Sequence, residues 1–251
     1  MGLGFAFEGC AGRAAFQVGV AAQLNAMGMQ AEFVAGASSG AIVAALIAGG
    51  HGGRLEEIWL GAAGRPVFQP ARLLRAGWPF AMSSIVGDAL EDLFGARRLP
   101  ALRLPIAIPV TLLTARGRRR RILTRADDIG IVEAVLASCF IPGPYSRTIV
   151  VDGCLGFDGA WEIRTPVDAV QGLGATRILA VVANPARELQ LGFPTRATMP
   201  PPRGCTIIGP ASELRLGPWD TDDGRIRDAI AAGRRAARAL PTDAVTAPQS
   251  S

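Results

Sequence analysis

The chain has 251 residues, of which 49% are hydrophobic, and this length and composition suit one α/β domain with a sizeable core. All 26 basic residues are arginine, which excludes mechanisms that need a P-loop lysine, a Schiff-base lysine or a Ser-Lys dyad. The four cysteines are scattered and there is one histidine, so the sequence favours reduced thiols and predicts no metal site.

The N-terminus enters an apolar strand pattern at once and carries no signal-peptide pattern. The apolar runs near residues 41–50 and 176–183 are shorter than the roughly 20 residues that a membrane-spanning helix needs. We therefore expect a cytoplasmic protein. Its formal net charge of +5 favours peripheral contact with anionic membranes, whereas the absence of a recognised motif argues against a nucleic-acid partner.

The first predicted unit is a strand, a glycine-rich loop and a helix. Residues 3–7 form the strand pattern, residues 8–12 are mostly small, and helical apolar spacing follows from Arg13 to Met27. The backbone amides of such a loop can hold an oxyanion or a phosphate. A dinucleotide site is the competing interpretation, but the GxGxxG spacing is absent and Glu32 precedes the second strand. We expect no cofactor.

The second predicted strand, residues 33–35, runs into the sequence GASSG at residues 36–40 and then into an apolar helix. This is a GxSxG elbow in strand–turn–helix context. The glycines Gly36 and Gly40 allow a tight turn, and the helix dipole favours negative charge near the Ser38 hydroxyl. Ser38 is therefore a candidate nucleophile; the alternative is a turn that only packs a strand on a helix.

Residues 51–81 are rich in Gly, Pro and Arg, contain Trp59, Trp78 and Phe80, and are predicted to form a cap or lid. The only histidine, His51, follows Ser38 closely. Since α/β-hydrolases order their triad as Ser, acid, His, a histidine-based triad is not expected.

The rest of the chain alternates between strand and helix patterns. A mostly parallel sheet covered on both faces, with the chemistry at the carboxyl ends of its strands, is therefore predicted. The predicted elements are a helix at 85–94, strands at 104–113 and 120–124, a helix at 128–138, strands at 148–151, 177–183 and 205–208, and a helix at 221–240. The polar tail at 241–251 is predicted to be disordered.

A serine nucleophile without a usable histidine needs a carboxylate or water as its base. The apolar strand at 148–151 delivers Asp152 directly into residues 153–156, which are predicted to be a loop at the strand end. Asp152 is the candidate base. The alternative is an aspartate that only forms a turn.

Four consecutive arginines, residues 118–121, follow a turn and precede a strand. Such a run attracts anionic headgroups or forms a solvated hairpin face, and the second interpretation is favoured.

Taken in order, these motifs resemble the patatin-like phospholipase family from Phe5 to about Leu240. Residues 9–20 look like the family's glycine-rich oxyanion loop, arginine and helix, and Ser38 falls in its nucleophile elbow. Residues 137–142 are similar to the helix end before the family's catalytic aspartate, and Asp152 with Gly153 falls where its DGG or DGA motif occurs.

The resemblance implies a three-layer α/β/α fold with a mostly parallel sheet, in one domain over residues 1–240. It also implies a Ser–Asp dyad in which Asp152 accepts the proton of Ser38, Ser38 attacks an ester carbonyl, and water hydrolyses the acyl-enzyme. Arg13 would fix the oxyanion loop or neutralise a lipid phosphate, and Gly153 would support the aspartate.

Backbone amides of Gly9, Cys10, Ala11 and Gly12 are the oxyanion donors that the resemblance implies. Alanine replaces family glycines at positions 11 and 14. A loop that needs positive φ at such a position would be strained by about 1 kcal/mol or more.

The function expected from the resemblance is hydrolysis of a phospholipid, a lysophospholipid or another lipid ester. Two alternatives stay open: acyl transfer to an alcohol by the same dyad, and lipid binding by a catalytically degenerate protein.

Overall fold

The computed structural model describes residues 2–62, 64–193, 195 and 197–241. The strands in this part of the chain are β1 (Gly2–Phe7), β2 (Phe33–Gly36), β3 (Ile106–Thr114), β4 (Gly117–Thr124), β5 (Val150–Val151), β6 (Cys154–Phe157), β7 (Ala175–Val181), β8 (Leu189–Gln190), β9 (Thr198–Met199) and β10 (Cys205–Ile208). The helices are α1 (Ala14–Ala26), α2 (Ser39–Ala48), α3 (Leu55–Ala62), α4 (Ala71–Ala76), α5 (Met82–Phe94), α6 (Ile131–Cys139), α7 (Val167–Gly172) and α8 (Asp223–Arg238).

The central sheet has the strand order β10-β7-β1-β2-β3-β6-β5, with β4 also paired to β3. From β10 to β3 every neighbouring pair is parallel, whereas β4, β5 and β6 pair antiparallel. The predicted α/β class with a mostly parallel sheet is confirmed.

Helices flank the sheet on both faces. The larger core lies on one face, where α1, α2 and α6 pack and α8 lies across α1. Both α1 and α2 are buried on nearly every side, as their almost uniformly small and apolar sequences require. The other face packs against α7, whose Val167 and Val170 are fully buried against β1 and β7.

The strand β3 organises the site because two strands share one of its edges. The strand β4 follows one edge along residues 107–114, so β2 and β6 must lie on the other. There β2 pairs in parallel up to Ala107, and β6 pairs antiparallel from Leu113 back to Thr111. Because these strands run toward each other, their ends face each other across three β3 residues, 108–110, with about 13 Å between Ala107 and Thr111.

The main departure from the predicted elements is the strand β6. Residues 153–156 were predicted to be a loop, but a turn at Asp152 and Gly153 returns the chain antiparallel to β5. Other predicted elements are present with bounds that differ by a few residues. For example, Asp128 was predicted to be the N-cap of a helix, but that helix begins at Ile131 and its N-cap is Gly130.

The segment predicted to be a cap, residues 51–81, contains a 3₁₀ turn (Gly52–Arg54), α3 and α4. The tail predicted to be disordered lies outside the described residues, except for Pro241. Among the helices that the structure describes, none is both long and apolar enough to cross a membrane.

Candidate active site

Ser38 lies between β2 and α2 with φ +51° and ψ −126°, a backbone conformation that is strained for any residue with a side chain. The turn is tight because its two glycines approach other backbone atoms. A Cβ on Gly36 would lie 2.1 Å from the Gly40 oxygen, and one on Gly40 would lie 2.4 Å from the Phe7 oxygen. The elbow therefore requires glycine at both positions.

The carboxylate that contacts this serine is Asp158. The Ser38 Oγ donates a hydrogen bond to Asp158 Oδ2 at 2.6 Å. The other carboxylate oxygen, Oδ1, accepts the Ala160 N–H at 2.8 Å. Both carboxylate oxygens thus accept a hydrogen bond. These two bonds fix the orientation of the carboxylate and replace the water that it lacks, since only 2% of Asp158 is exposed.

Hydrogen bonds to neighbouring elements fix the backbone of Asp158 at the end of β6. Its N–H donates to the Phe140 carbonyl at 2.9 Å, and its carbonyl accepts the Thr111 hydroxyl at 2.8 Å. The buried Ser138 hydroxyl accepts the Ser38 N–H at 3.0 Å and donates to the Pro109 carbonyl at 2.7 Å. Serine and aspartate are therefore both anchored to β3.

Burial raises the pKa of the Asp158 carboxyl to about 7. Hydrogen bonds from Ser38 and Ala160 and the positive charge of Arg164 act in the opposite direction and limit the rise. A carboxylate with a pKa near neutral can accept and return a proton at physiological pH.

Asp152 does not contact Ser38. It occupies a two-residue hairpin turn with φ +50°, next to Gly153 with φ +73°, and positive φ at both positions is what a type I′ turn requires. Its carboxylate accepts the Arg121 Nε–H at 2.9 Å, lies 3.8 Å from Arg119, and is 44% exposed. The structure therefore contradicts the prediction that Asp152 accepts the Ser38 proton. Asp152 forms a turn, which was the alternative interpretation of this residue.

Three of the four amides predicted to be oxyanion donors have partners within the protein. The Gly9 N–H donates to the Arg164 carbonyl at 2.8 Å and the Gly12 N–H to the Pro218 carbonyl at 2.8 Å. The Cys10 N–H donates to the Ser39 hydroxyl at 3.2 Å. These bonds hold the loop in place and occupy the amides that were expected to face a substrate.

The amides of Ala11 and Ser39 have no hydrogen-bond partner in the described part of the chain. Both residues line the same cavity as Ser38, and Ser39 is the first residue of α2, where a helix N–H is normally free. Ala11 has φ +51°, which is the strained conformation anticipated for alanine at a family glycine position and costs roughly 1–2 kcal/mol.

A buried ion pair lies beneath the oxyanion loop. Arg164 Nε lies 3.1 Å from Glu8 Oε1, and the Ala183 N–H donates to the other Glu8 oxygen at 2.5 Å. Burial raises the pKa of Glu8, and the charge of Arg164 is the largest effect that opposes this rise. Arg13 adds a weaker positive field at Glu8, and its buried Nε has no hydrogen-bond partner among the described residues.

Ser38 opens into a mostly apolar cavity of about 140 Å³. Side chains of α2, α3 and α5 line it, among them Ile42, Leu46, Ile58 and Met82. Of the described residues that line the cavity, Arg65 and Asp220 are charged. Such a cavity suits a hydrocarbon chain.

The four consecutive arginines lie on β4, and each is paired with an acid. The pairs are Arg118 with Glu162, Arg119 with Asp152, Arg120 with Asp168, and Arg121 with both Asp127 and Asp152. The run therefore forms a hairpin face laced with ion pairs, which is the interpretation that the sequence favoured. The sole histidine, His51, packs edge-on against Phe94 with 5.3 Å between ring centroids.

A family model described as patatin-like phospholipase matches residues 5–170. The chain belongs to this family. No curated protein matches the chain.

Two solved structures share this patatin-like fold. VipD from Legionella pneumophila superposes with a TM-score of 0.55 at 12% sequence identity, over 97% of this chain and 66% of that one. The type III effector protein ExoU superposes with a TM-score of 0.52 at 13% identity, over 98% of this chain and 53% of that one. The patatin-like chain thus spans about two thirds of VipD and about half of ExoU.

The DGA motif that the family resemblance led us to expect at Asp152 occurs in full six residues later. Asp158, Gly159 and Ala160 spell DGA in full, whereas the Asp152 motif ends in Cys154. Sequence reasoning also missed Ser138 and Arg164, which contact the elbow and the oxyanion loop. Ser138 lies in the segment 137–142 that resembles the family, but nothing local indicates its contact with Ser38, and no local pattern marks Arg164, because the partners of both residues are distant in the chain.

Proposed function

We propose that this patatin-like protein is a lipid acyl hydrolase in which Ser38 is the nucleophile and Asp158 the base. The observation that carries the proposal is the 2.6 Å hydrogen bond from Ser38 Oγ to the buried Asp158 carboxylate, beside an apolar cavity. Membership in the patatin-like phospholipase family supports lipid hydrolase activity.

In the acylation step, Ser38 Oγ attacks the ester carbonyl carbon while Asp158 accepts the hydroxyl proton. The free N–H groups of Ala11 and Ser39 stabilise the negative charge on the carbonyl oxygen. When the tetrahedral intermediate collapses, the carbon–oxygen bond to the alcohol breaks. Asp158 returns its proton to that alcohol, and the acyl group stays on Ser38.

Deacylation repeats these transfers with water as the nucleophile. Asp158 removes a proton from the water as its oxygen attacks the acyl carbon, and the same two amides bind the oxyanion. Collapse breaks the bond to Ser38 Oγ, which takes the proton back from Asp158. The products are a carboxylic acid and free enzyme.

The cavity indicates which part of a substrate lies where. An acyl chain would lie among the apolar side chains of α2, α3 and α5, and the polar part of the lipid would face the opening. The proposed substrates are therefore phospholipids or other lipid esters with an apolar acyl chain.

The test is hydrolysis of phospholipid and of a soluble chromogenic ester by purified wild-type protein and Ser38→Ala. We expect the substitution to lower kcat/KM by at least about a thousandfold, because it removes the nucleophile. Ser84→Ala is the matched control, since among the described residues its hydroxyl bonds only the Ala81 carbonyl, one helical turn earlier. Wild-type rates from folded Ser38→Ala protein would refute the proposal.

A further inference from the structure

Residues 67–81 form a projecting loop, here called the docking finger. Two backbone hydrogen bonds close its base, from the Gln69 N–H to the Pro79 carbonyl at 2.7 Å and from the Ala81 N–H to the Val67 carbonyl at 2.8 Å. The helix α4 lies at its tip. The docking finger is therefore an ordered projection with a defined end.

Aromatic contacts brace the docking finger. The rings of Phe68 and Phe80 have centroids 5.4 Å apart, and those of Trp78 and Phe80 are 6.1 Å apart. The Trp78 indole N–H also donates to the Gly143 carbonyl at 2.8 Å, outside the finger. These contacts hold the base of the docking finger and the segment that follows α4.

The docking finger carries large apolar side chains that the described chain leaves more than half exposed, two of them on α4. Leu74 is 92% exposed, and Phe68 and Leu73 are each 55% exposed. Burying a side chain of this size is worth about 1.5–3 kcal/mol. A cluster of exposed apolar groups on an ordered projection indicates a surface that is covered in use.

The charges around the tip identify what covers it. The docking finger contains two arginines, Arg72 and Arg75, and no aspartate or glutamate, whereas the preceding Arg65 pairs with Asp88 at 3.5 Å. Within the described residues neither Arg72 nor Arg75 has an ion pair. Arginines beside leucine and tryptophan suit the boundary between anionic lipid headgroups and acyl chains.

The docking finger begins at the edge of the catalytic cavity. Val67 at its base and the preceding Arg65 both line that cavity, as does Met82 immediately after the finger. A lipid surface held by the tip would thus lie next to the opening through which an acyl chain reaches Ser38.

We propose that the docking finger seats this protein on anionic lipid surfaces, with Leu73 and Leu74 inserted among the acyl chains. Arg72 and Arg75 contact the anionic headgroups. This inference rests on the proposed function in one respect, that the lipid surface supplies the ester substrate.

The test is co-sedimentation of catalytically inactive Ser38→Ala protein with vesicles of phosphatidylcholine, alone or mixed with phosphatidylglycerol. We expect binding to the mixed vesicles and at least about tenfold weaker binding when Leu74→Glu is added. Arg72→Gln with Arg75→Gln should also weaken binding about tenfold, and only for the anionic vesicles.

The matched control is Leu155→Glu, at a 43% exposed leucine of β6 outside the finger, which should leave binding unchanged. Leu74→Glu that binds like the parent protein would overturn the proposal, as would loss of binding in Leu155→Glu instead. A dimer that Leu74→Glu dissociates in solution would overturn it too, by assigning the tip to a second copy.

Activity separates this inference from the proposed function. In the active background, Leu74→Glu should hydrolyse a soluble short-chain ester at the wild-type rate and vesicle phospholipid at least about tenfold more slowly. Vesicle binding that depends on Leu74, in a protein without esterase activity, would refute the hydrolase and support the finger. Conversely, a protein that has esterase activity and hydrolyses vesicle phospholipid equally well with or without Leu74→Glu would support the hydrolase and refute the role of the docking finger.

Discussion

The strand β6 has an Asp-Gly pair at each end, and the two pairs have opposite environments. Asp152 precedes the strand, has a side chain that is 44% exposed, and pairs with Arg121. Asp158 follows the strand, is buried, and accepts the Ser38 hydroxyl. An aspartate followed by a glycine therefore forms a turn before the four-residue strand β6 and part of a candidate catalytic site after it.

The two glycines differ in the same way. Gly153 has φ +73° with open space where a side chain would be, so the turn requires glycine for its backbone conformation. A Cβ on Gly159 would lie 2.1 Å from the Pro109 carbonyl oxygen, so this position requires glycine for close packing on β3. The Asp-Gly dipeptide alone therefore does not identify the candidate site. What distinguishes Asp158 is that it is buried where the ends of β2 and β6 face each other.

The sharpest way to break this comparison is to exchange each aspartate for asparagine. We expect Asp158→Asn to lower kcat/KM for a soluble ester by about a thousandfold, because the base is lost. Asp152→Asn should change it by less than about twofold, since an exposed ion pair contributes little. Circular dichroism would verify the fold of both variants. Equal losses in the two would contradict the assignment.

The pH dependence of activity sharpens the same contrast. The pKa of Asp158 is raised to about 7, and only its ionised form accepts a proton. The kcat/KM should therefore fall about tenfold per pH unit below pH 7 and level off above it. Asp152→Asn should have the same profile, and a profile without a transition between pH 5 and 8 would argue against Asp158 as the base.

The same raised pKa predicts how stability varies with pH. The folded protein holds the Asp158 proton up to about pH 7, whereas the unfolded chain releases it near 3.8, the ordinary pKa of an aspartate. This contribution to stability is complete below pH 3.8 and is lost as the pH rises through 7. In urea unfolding at pH 8, Asp158→Asn should thus be more stable than wild type. A less stable variant would contradict the claim that the buried Asp158 charge destabilises the folded protein.

Alanine substitutions at the two glycines should separate packing from turn conformation. Gly159→Ala should destabilise the protein by about 2–3 kcal/mol and impair hydrolysis, since the new methyl group displaces the aspartate from β3. Gly153→Ala should cost about 1–2 kcal/mol through its positive φ and leave kcat/KM unchanged. Urea unfolding and ester hydrolysis measure both effects, and the opposite pattern of activity would locate the site at the other end of β6.

The smallest effect is expected at another position of positive φ, Ala11 in the oxyanion loop. Ala11→Gly should relieve backbone strain and raise the stability by up to about 1 kcal/mol, or a Tm gain of about 2–4 °C. Ala14→Gly is the matched control, since Ala14 has φ −61° and glycine should destabilise the start of α1. A lower Tm for Ala11→Gly would show that the loop is not strained there.

Much of the fold followed from local patterns. The elbow at Ser38 was predictable because an apolar strand, small turn residues and an apolar helix adjoin in sequence. The sequence analysis named Asp152 and did not consider Asp158, the residue that contacts Ser38, because it took residues 153–156 for a loop and not for a strand. An Asp-Gly pair between apolar residues is itself a hairpin signal, and that signal was available.

The state of the oxyanion loop could not be predicted from its own sequence. The amides of Gly9 and Gly12 are occupied by carbonyls of Arg164 and Pro218, more than a hundred residues along the chain. Such pairing depends on tertiary packing. For the same reason, the support that Ser138 gives to Ser38 becomes visible only when the sheet and α6 are assembled.

The most direct test of the account is labelling with a fluorophosphonate serine probe, followed by peptide mapping, of wild type and the two asparagine variants. The account predicts labelling of Ser38 in wild-type protein and in Asp152→Asn, and almost none in Asp158→Asn. Loss of labelling in folded Asp152→Asn, with labelling retained in Asp158→Asn, would contradict it.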